Sequence, residues 1–551
     1  MVIVKWLSDN SIEIDDVREE YHKAQWRCKY KSLAVSGSGE EVRLVPLPSR
    51  QKLRQGSRTR VQTPTVAHQG TVRRLSKGGI AKIQMADGMT GEETIQAVDI
   101  EKYNELNLKF IQTTEYAVRY LSKERCSLNA FQQLQLLNSY DALPKEPLQD
   151  MKSNSFYEQS GLELDNSQEL AVSNCDHAVS FVEGPPGTGK TTVLTAMVAR
   201  GLASGKGVLV IGETNSSVKQ VYYSLQKNNI CYDDRMTLIV TKEHFNEHKS
   251  DYDVYYKHNP SRSHKQVLLC TLSKAKQLPL HMLMQYQDTS GEFLSRDMAI
   301  LDEGARVSSF CFSEVLPLFD EVKRLVVCGD RRQGGPFSKK GRKLQSVITM
   351  LEERSLSNKK GIIKRSFLNV QYRMQYDIGE LISNTFYEGR ILSMKKAGGH
   401  NLYCHYVTGW AYEDDLSTCC ENEAELALRY GIILQDKHRD SKVVILCYYY
   451  GQIILLRHMM QSSGHNLRVY SVDSYQGMEA DYVILSTCAQ RKNMSPHIAD
   501  KERACVAMSR GKNRLIILGN PRTLHGNDLW SGMLQVMRKI SGNALGNAAI
   551  Q

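Results

Sequence analysis

The sequence predicts an α/β protein with two α/β domains in tandem, preceded by a small β-module and a helical segment. Three observations carry this. Two blocks of short, continuous apolar runs alternate with helical segments. A phosphate-cradling loop, "FVEGPPGTGKTT" (181–192), stands in the first block alone. A strongly basic, turn-rich stretch lies ahead of both blocks.

A chain of 551 residues is too long for one core, and roughly 150 residues per domain suggests three or four. Hydrophobic residues make up 41% and charged residues 24%, the balance of a soluble globular protein. Lys+Arg 71 against Asp+Glu 60 gives a net charge of +11, a lean toward a polyanionic partner. No apolar run reaches the length of a membrane span, so no membrane partner is expected. The start, "MVIVKWLSDNSIEIDD", is unlike a secretory signal. The thirteen cysteines contain no CxxC, which speaks against a disulfide framework or zinc module. A reducing compartment, cytoplasmic or nuclear, is expected; "KKGRK" (339–343) is a weak nuclear-import candidate.

Taken in order, residues 1–40 form an N-terminal segment ending in "SGSGEE". Between Glu41 and Asp87 there is no acid, while ten bases run from Arg43 to Lys82. Within that stretch "GTVRRLSKGGIAKIQM" reads as a hairpin. "KGG" forms the turn, and Ala81, Ile83 and Met85 alternate with Lys82 and Gln84. The β-module is placed at 41–105, and its basic face also fits a plain solvated charge run. From about 103 to 140, Leu106, Phe110, Val118, Leu121, Leu128, Phe131, Leu134 and Leu137 recur at helical intervals, and 106–160 is read as a helical linker. The first α/β domain spans 161–340, with strands in "AVSFV", "GVLVIG", "QVLLCT", "MAILDE" and "RLVVCGD". The second spans 341–535, with "KVVILC", "LRVYSV", "DYVILST" and "RLIILGN". Continuous apolar runs suit strands buried on both faces of parallel sheets. Residues 536–551 are read as a tail.

The loop Gly184-Pro185-Pro186-Gly187-Thr188-Gly189-Lys190-Thr191-Thr192 follows an apolar strand and opens a helix of about 190–203. Glycines let backbone N–H groups face phosphates at a helix start. Lys190 should reach the outer phosphates and Thr191 should ligate Mg2+. Asp302 and Glu303 end an apolar run 112 residues after Lys190 (302 − 190). The first can hold the magnesium shell and the second can orient or deprotonate water. Gln333, beyond the next strand, can sense the terminal phosphate. Arg373 in "LNVQYRM" and Arg510 in "CVAMSRGK" supply the positive charge that a transferring phosphoryl group needs.

These segments, in this order over about 160–525, resemble superfamily 1 helicases of the Upf-like branch, which includes the nonsense-decay RNA helicase and senataxin. The resemblance rests on "LDNSQELAV", "GPPGTGKT", "ETNSSVKQV", "LLCTLSKA", "LDEGA", "GDRRQ", "VQYRM" with "FYEGRIL", "VDSYQGMEADYVILS" and "CVAMSRGK". It implies two RecA-like P-loop domains in tandem with a small N-terminal β-barrel-like module before the first, carried on a helical stalk drawn from 106–160. It implies that Gln168 reads adenine and that Tyr372 stacks on the base. Gly477 and Glu479 would lie at the interdomain face, and Arg373 and Arg510 would act from the second domain. Asn215, Ser216 and Thr271 would touch the nucleic-acid backbone. A second insertion is placed at about 222–266, where aromatics among bases could stack on a strand or form a plain surface helix.

The function implied is an ATP- and Mg2+-dependent helicase or translocase, monomeric, moving 5′ to 3′ on single-stranded RNA or DNA. The alternative is an ATP-gated clamp that recruits partners and unwinds little. Two departures bear on the choice. "GDRRQGGP" replaces the family's usual "GDxxQLPP", so Gly334 and Gly335 should loosen the segment after Gln333. The alanine-proline pair usual before "SN" is absent from "ETNSS". A GTPase switch is disfavoured because no Asn-Lys-x-Asp guanine reader occurs. RNA and DNA are not separated, since no motif fixes a 2′-hydroxyl contact.

Overall fold

The computed structural model describes the strands within 26–101, Leu143, Pro147, Leu148 and residues 161–541. The exceptions within the last span are 233–234, 241–264, 277–284, 288–291, 314, 316–321, 337–342, 358–360, 415–416, 464–466 and 491–492. The helical pattern of 103–140, most of the Tyr/His/Lys-rich insertion and the "KKGRK" run apart from Lys343 lie outside the described residues. The chain divides into two compact units. One is Met1–Ser127 with Phe337–Leu344; the other is Leu128–Pro336 with Gln345–Gln551.

The first unit carries β1 (Trp26–Cys28), β2 (Tyr30–Val35), β3 (Glu41–Pro46), β4 (Arg58–Gln62), β5 (Ala67–Leu75), β6 (Ala81–Met85) and β7 (Ala97–Glu101). They form an antiparallel sheet in the order β1-β7-β4-β5-β6-β3-β2. The hairpin read from "GTVRRLSKGGIAKIQM" is the β5–β6 pair, with Val72 opposite Ile83. Two of the strands precede residue 41, so the sheet starts earlier than the boundary drawn from the acid-free stretch.

The second unit holds two lobes. The first contains β8 (Val179–Glu183), β9 (Gly207–Gly212), β10 (Met236–Ile239), β11 (Val267–Thr271), β12 (Gln285–Gln287), β13 (Phe293–Leu301), β14 (Arg324–Gly329) and β15 (Ile363–Phe367). Its order is β10-β11-β9-β13-β14-β8-β15, parallel throughout, with β12 antiparallel on β13. Side chains alternate across a strand, so a continuous apolar run feeds two cores. Val179 and Phe181 of β8 join one buried cluster and Val182 the other.

Two boundaries move here. β10 lies inside the insertion expected at 222–266 yet is a fully buried edge strand of the main sheet. β15 pairs with β8, so the first sheet runs past residue 340 to Phe367.

The second lobe starts with the short parallel pair β16 (Val370–Gln371) and β17 (Leu392–Ser393). Then come β18 (Leu402–Tyr406), the hairpin β19 (Tyr412–Asp414) and β20 (Ser417–Cys419), β21 (Val443–Cys447), β22 (Arg468–Ser471), β23 (Ala480–Ser486), β24 (Gly511–Gly519) and β25 (Arg538–Ser541). The order β22-β21-β23-β24-β18-β25 is parallel. Ile445, Ile484 and Ile516 pack on one face of it, and Val444, Val483 and Leu515 on the other. β25 places 538–541 in this sheet, so the segment read as a tail begins inside the lobe.

Candidate nucleotide site between the lobes

Helix α1 (Asn166–Asn174) opens with a capping box. The Asp165 side chain accepts from the Ser167 and Gln168 backbone, and the Gln168 side chain accepts from the Asp165 N–H at 3.1 Å. This fixes Gln168 beside the loop that follows β8, where its Nε2 donates to the Thr188 carbonyl at 3.0 Å. Both ends of the side-chain amide therefore have protein partners, and Gln168 is buried.

The loop turns on Gly187 (φ 74°) and Gly189 (φ 81°), left-handed conformations that glycine adopts without steric cost. Neighbours also exclude a side chain there. A Cβ on Gly187 would stand 2.7 Å from Arg373 Cβ, and one on Gly189 would stand 2.5 Å from Gln168 Nε2. Helix α2 (Lys190–Ala203) follows, with no side chain capping its first amides. Those donors face the loop, the arrangement that suits a phosphate. Lys190 Nζ donates to the Gly184 carbonyl at 2.5 Å. Thr188 donates to the Pro185 carbonyl at 2.8 Å.

Asp302 follows β13 and is buried. Its Oδ1 accepts the Glu303 N–H at 2.9 Å, while Glu303 itself sits at φ 57°, strained for a residue with a side chain. Burial, with the Glu303 charge adding and Lys190 opposing, pushes the Asp302 carboxyl up to about 7. A buried carboxylate so disfavoured as an anion is one a divalent cation would stabilise. Among the described residues no cluster of three or more His, Cys, Asp or Glu is placed to hold a metal. A single buried carboxylate suits a cation such as Mg2+, which takes few protein ligands and completes its shell with phosphate and water.

The second lobe closes the site. Tyr372 N donates to the Gly187 carbonyl at 2.9 Å, and Tyr372 Oη donates to Asp165 Oδ2 at 2.7 Å. Arg373 lies 2.6 Å from Glu479 Oε2, and Lys512 Nζ lies 2.5 Å from Glu479 Oε1. Burial alone would raise the Glu479 carboxyl, but Arg373 and Lys512 outweigh it and hold it below the usual glutamate value. Gly477 (φ 78°) offers its carbonyl to Gln220 Nε2 at 3.2 Å.

Arg510 is 1% exposed, and burial followed by repulsion from Arg373 brings it down to about 10. It donates to the Val506 carbonyl (2.9 Å), the Met478 carbonyl (3.1 Å) and Gln333 Oε1 (2.5 Å). A cleft of about 910 Å³ opens beside these groups, lined among others by Thr191, Thr192, Arg373, Lys442, Gly477 and Glu479.

The expected strand-contacting residues stand at the carboxyl ends of neighbouring strands, with Thr271 opposite Gly212 in the β11–β9 register. Asn215 and the exposed Ser216 begin helix α3 (Asn215–Lys227). Thr271 caps a short helix by accepting from the Lys274 N–H at 3.2 Å. Ligands of parallel sheets bind at such carboxyl ends.

The segment after Gln333 differs from its expectation. Gly334 takes φ 102°, as glycine can, yet the stretch is held. Gln476 donates to the Gln333 carbonyl at 2.7 Å, and Gly335 N donates to Glu502 at 3.0 Å. Sequence reasoning also missed Lys512, Lys442, Asp330 and Tyr387. Only Asp165 left a signal, the D-x-x-Q spacing of its cap.

A phosphate loop, a carboxylate pair and two arginines from a second parallel-sheet lobe define a two-lobed P-loop nucleotide-binding protein. Two family models, both described as AAA domain, match residues 168–338 and 347–522. The chain is 27% identical over 450 residues to the regulator of nonsense transcripts 1 homolog of Arabidopsis thaliana, covering 68% of this chain and 34% of that protein. It is 27% identical over 432 residues to the ATP-dependent helicase upf1 of Schizosaccharomyces pombe, covering 67% and 46%. The DNA polymerase alpha-associated DNA helicase A of the same yeast is 24% identical over 443 residues, covering 66% and 64%. In sequence the chain is similar to Upf-like helicases of superfamily 1. It spans about a third of the length of its Arabidopsis and Dictyostelium relatives.

Proposed function

We propose that the chain is an ATP-dependent helicase or translocase acting on single-stranded nucleic acid, with ATP hydrolysed between two RecA-like lobes. One observation carries the reading. Arg373 and Arg510 come from the second lobe and converge on the first lobe's phosphate loop and on Gln333. Hydrolysis and lobe movement are then coupled, because losing the terminal phosphate removes what both arginines hold.

In this reading the α2 amides and Lys190 bind the phosphates, and Gly184, Gly187 and Gly189 allow the backbone its close approach. Thr191 and Asp302 would hold Mg2+, which would neutralise charge on the outer phosphates. Glu303 orients the attacking water and takes its proton, and Gln333 registers the terminal phosphate. Arg373 and Arg510 stabilise charge on the transferring group. Tyr372 stacks on the base. Gln168 serves adenine, for which its amide must exchange a present partner, Thr188 or Asp165. Glu479 and Gly477 line the cleft at the interdomain face, near the nucleotide. Asn215, Ser216 and Thr271 receive the strand backbone. The N-terminal sheet is a barrel-like module, and the chain works as a monomer inside the cell.

The relatives' names include both a transcript regulator and a DNA helicase, so either nucleic acid fits. A second reading is an ATP-gated clamp with little unwinding, drawn from the two glycines after Gln333, a segment that Gln476 and Glu502 hold in this structure. Strand displacement on a duplex with a 5′ overhang decides between them. ATP-driven displacement supports the motor. ATP-modulated binding without displacement supports the clamp. Matched RNA and DNA oligonucleotides in an ATPase assay then identify the strand.

A further inference from the structure

The loop 330–336 carries more ties to the second lobe than a phosphate sensor needs. Gln333 gives its side-chain oxygen to Arg510 and its carbonyl to Gln476, and Gly335 N donates to Glu502. Beneath them lies Asp330, 3% exposed. Its Oδ1 accepts the Arg332 N–H at 3.0 Å. Its Oδ2 accepts the Gln333 amide and, at 2.5 Å, the Tyr387 hydroxyl. Of the three donors only Tyr387 comes from the second lobe. It is fully buried at the carboxyl end of helix α4 (Tyr376–Phe386). Its hydroxyl also lies 3.5 Å from Cys505 Sγ on helix α6 (Lys501–Met508), the helix that leads into Arg510.

We propose that Tyr387 is a positioning residue for hydrolysis: through Asp330 it keys Gln333 to the second lobe, next to the helix that leads into Arg510, so the sensor follows that lobe. The physical reason is the cost of taking a hydrogen-bond donor from a buried carboxylate. If α4 shifts and the Asp330 loop does not, the buried Asp330 carboxylate loses the one of its three donors that crosses from the second lobe. The loop therefore moves with the helix, and Gln333 moves with the loop. Tyr387 touches no reacting atom and acts through Asp330 and Gln333. This rests on the proposed function for its kinetic consequence but not for its structural one.

Tyr387→Phe keeps the buried ring and removes only the hydroxyl. Asp330→Asn keeps the shape and weakens the acceptor. Each variant of the full chain is assayed for ATP hydrolysis with saturating oligonucleotide and for amide hydrogen exchange without nucleotide. We expect kcat to fall about tenfold with KM for ATP within about twofold. We expect the amides of 332–335 to exchange about tenfold faster while those of α2 do not change. Should Tyr387→Phe fail to fold, Asp330→Asn gives the same two readings. The proposal is overturned if exchange in 332–335 is unchanged, or if it quickens while kcat holds, or if KM alone moves. If the parent chain hydrolyses no ATP, the proposed function falls, and the exchange data still decide whether Tyr387 keys the loop.

Discussion

Arg510 Nη2 lies 2.5 Å from Gln333 Oε1, so the buried arginine of the second lobe is held by the residue assigned to sense the terminal phosphate. Three further acceptors hold the guanidinium: the Val506 and Met478 carbonyls and the Ser509 hydroxyl. A lysine carries the same charge but cannot serve these acceptors from one rigid plane. Arg510→Lys should lower kcat by at least about a hundredfold. It should also leave at least one buried carbonyl without a donor, destabilising the fold by about 1–3 kcal/mol. Steady-state ATPase and urea unfolding measure the two effects separately.

Gly189→Ala tests whether the loop is as tightly built as its contacts indicate. The new methyl meets Gln168 Nε2 at 2.5 Å while the backbone sits at φ 81°. Left-handed strain for a non-glycine residue is about 1–3 kcal/mol. Displacing Gln168 would also open the bond to the Thr188 carbonyl that closes the loop. A fluorescent ATP analogue should bind the variant at least about tenfold more weakly, with the melting temperature lowered by a few degrees.

Lys190→Ala and Glu303→Gln should separate binding from chemistry. Lys190→Ala should abolish strand-stimulated hydrolysis. Glu303→Gln should still bind ATP yet stall, because an amide cannot take a proton from water. Rapid steady-state phosphate release by Glu303→Gln would remove Glu303 from the role given to it.

Glu423 predicts a pH dependence of stability away from the cleft. It lies on helix α5 (Glu421–Lys437), fully buried, and accepts from the Ser486 hydroxyl, the Cys488 N–H and the Gln490 amide. Burial raises its carboxyl above the ordinary glutamate value of 4.5, although those donors oppose the rise. The folded state therefore keeps its proton at a pH where the unfolded chain has lost it. That stabilisation is fully present below about 4.5 and is lost as pH rises through the raised folded value. The melting temperature should accordingly fall over that window, and Glu423→Gln should flatten the slope. An unchanged slope in the variant would assign the pH dependence elsewhere.

The central strands of both lobes were legible because burial on two faces demands continuous apolar runs, as in "VSFVE" and "VVILC". The strands that escaped notice are mostly edge or next-to-edge strands, where one flank is freed for polar side chains. In β15, "IKRSF", Arg365 reaches Glu183 and Glu352. β25, "RKIS", is largely exposed at the sheet's edge. β18 hid for another reason: "LYCHY" carries His405, whose buried ring bonds the Tyr430 hydroxyl at 2.8 Å. The phosphate loop and the carboxylate pair are local spacings, so they could be read directly. Asp330 and Tyr387 are 57 residues apart and meet only because two lobes pack together, which no local pattern encodes.

The central claim is that one nucleotide is cleaved between the lobes with help from the second. Arg373 tests it most directly, since it abuts Gly187 of the loop and is anchored by Glu479 on its own lobe. The measurement is ATP turnover at saturating oligonucleotide for Arg373→Ala beside the parent chain, with ATP-analogue affinity determined on the same preparations. The account predicts a loss of at least about a hundredfold in turnover with affinity within about fivefold. Turnover equal to the parent's would contradict it, because catalysis would then need nothing from the second lobe at that position.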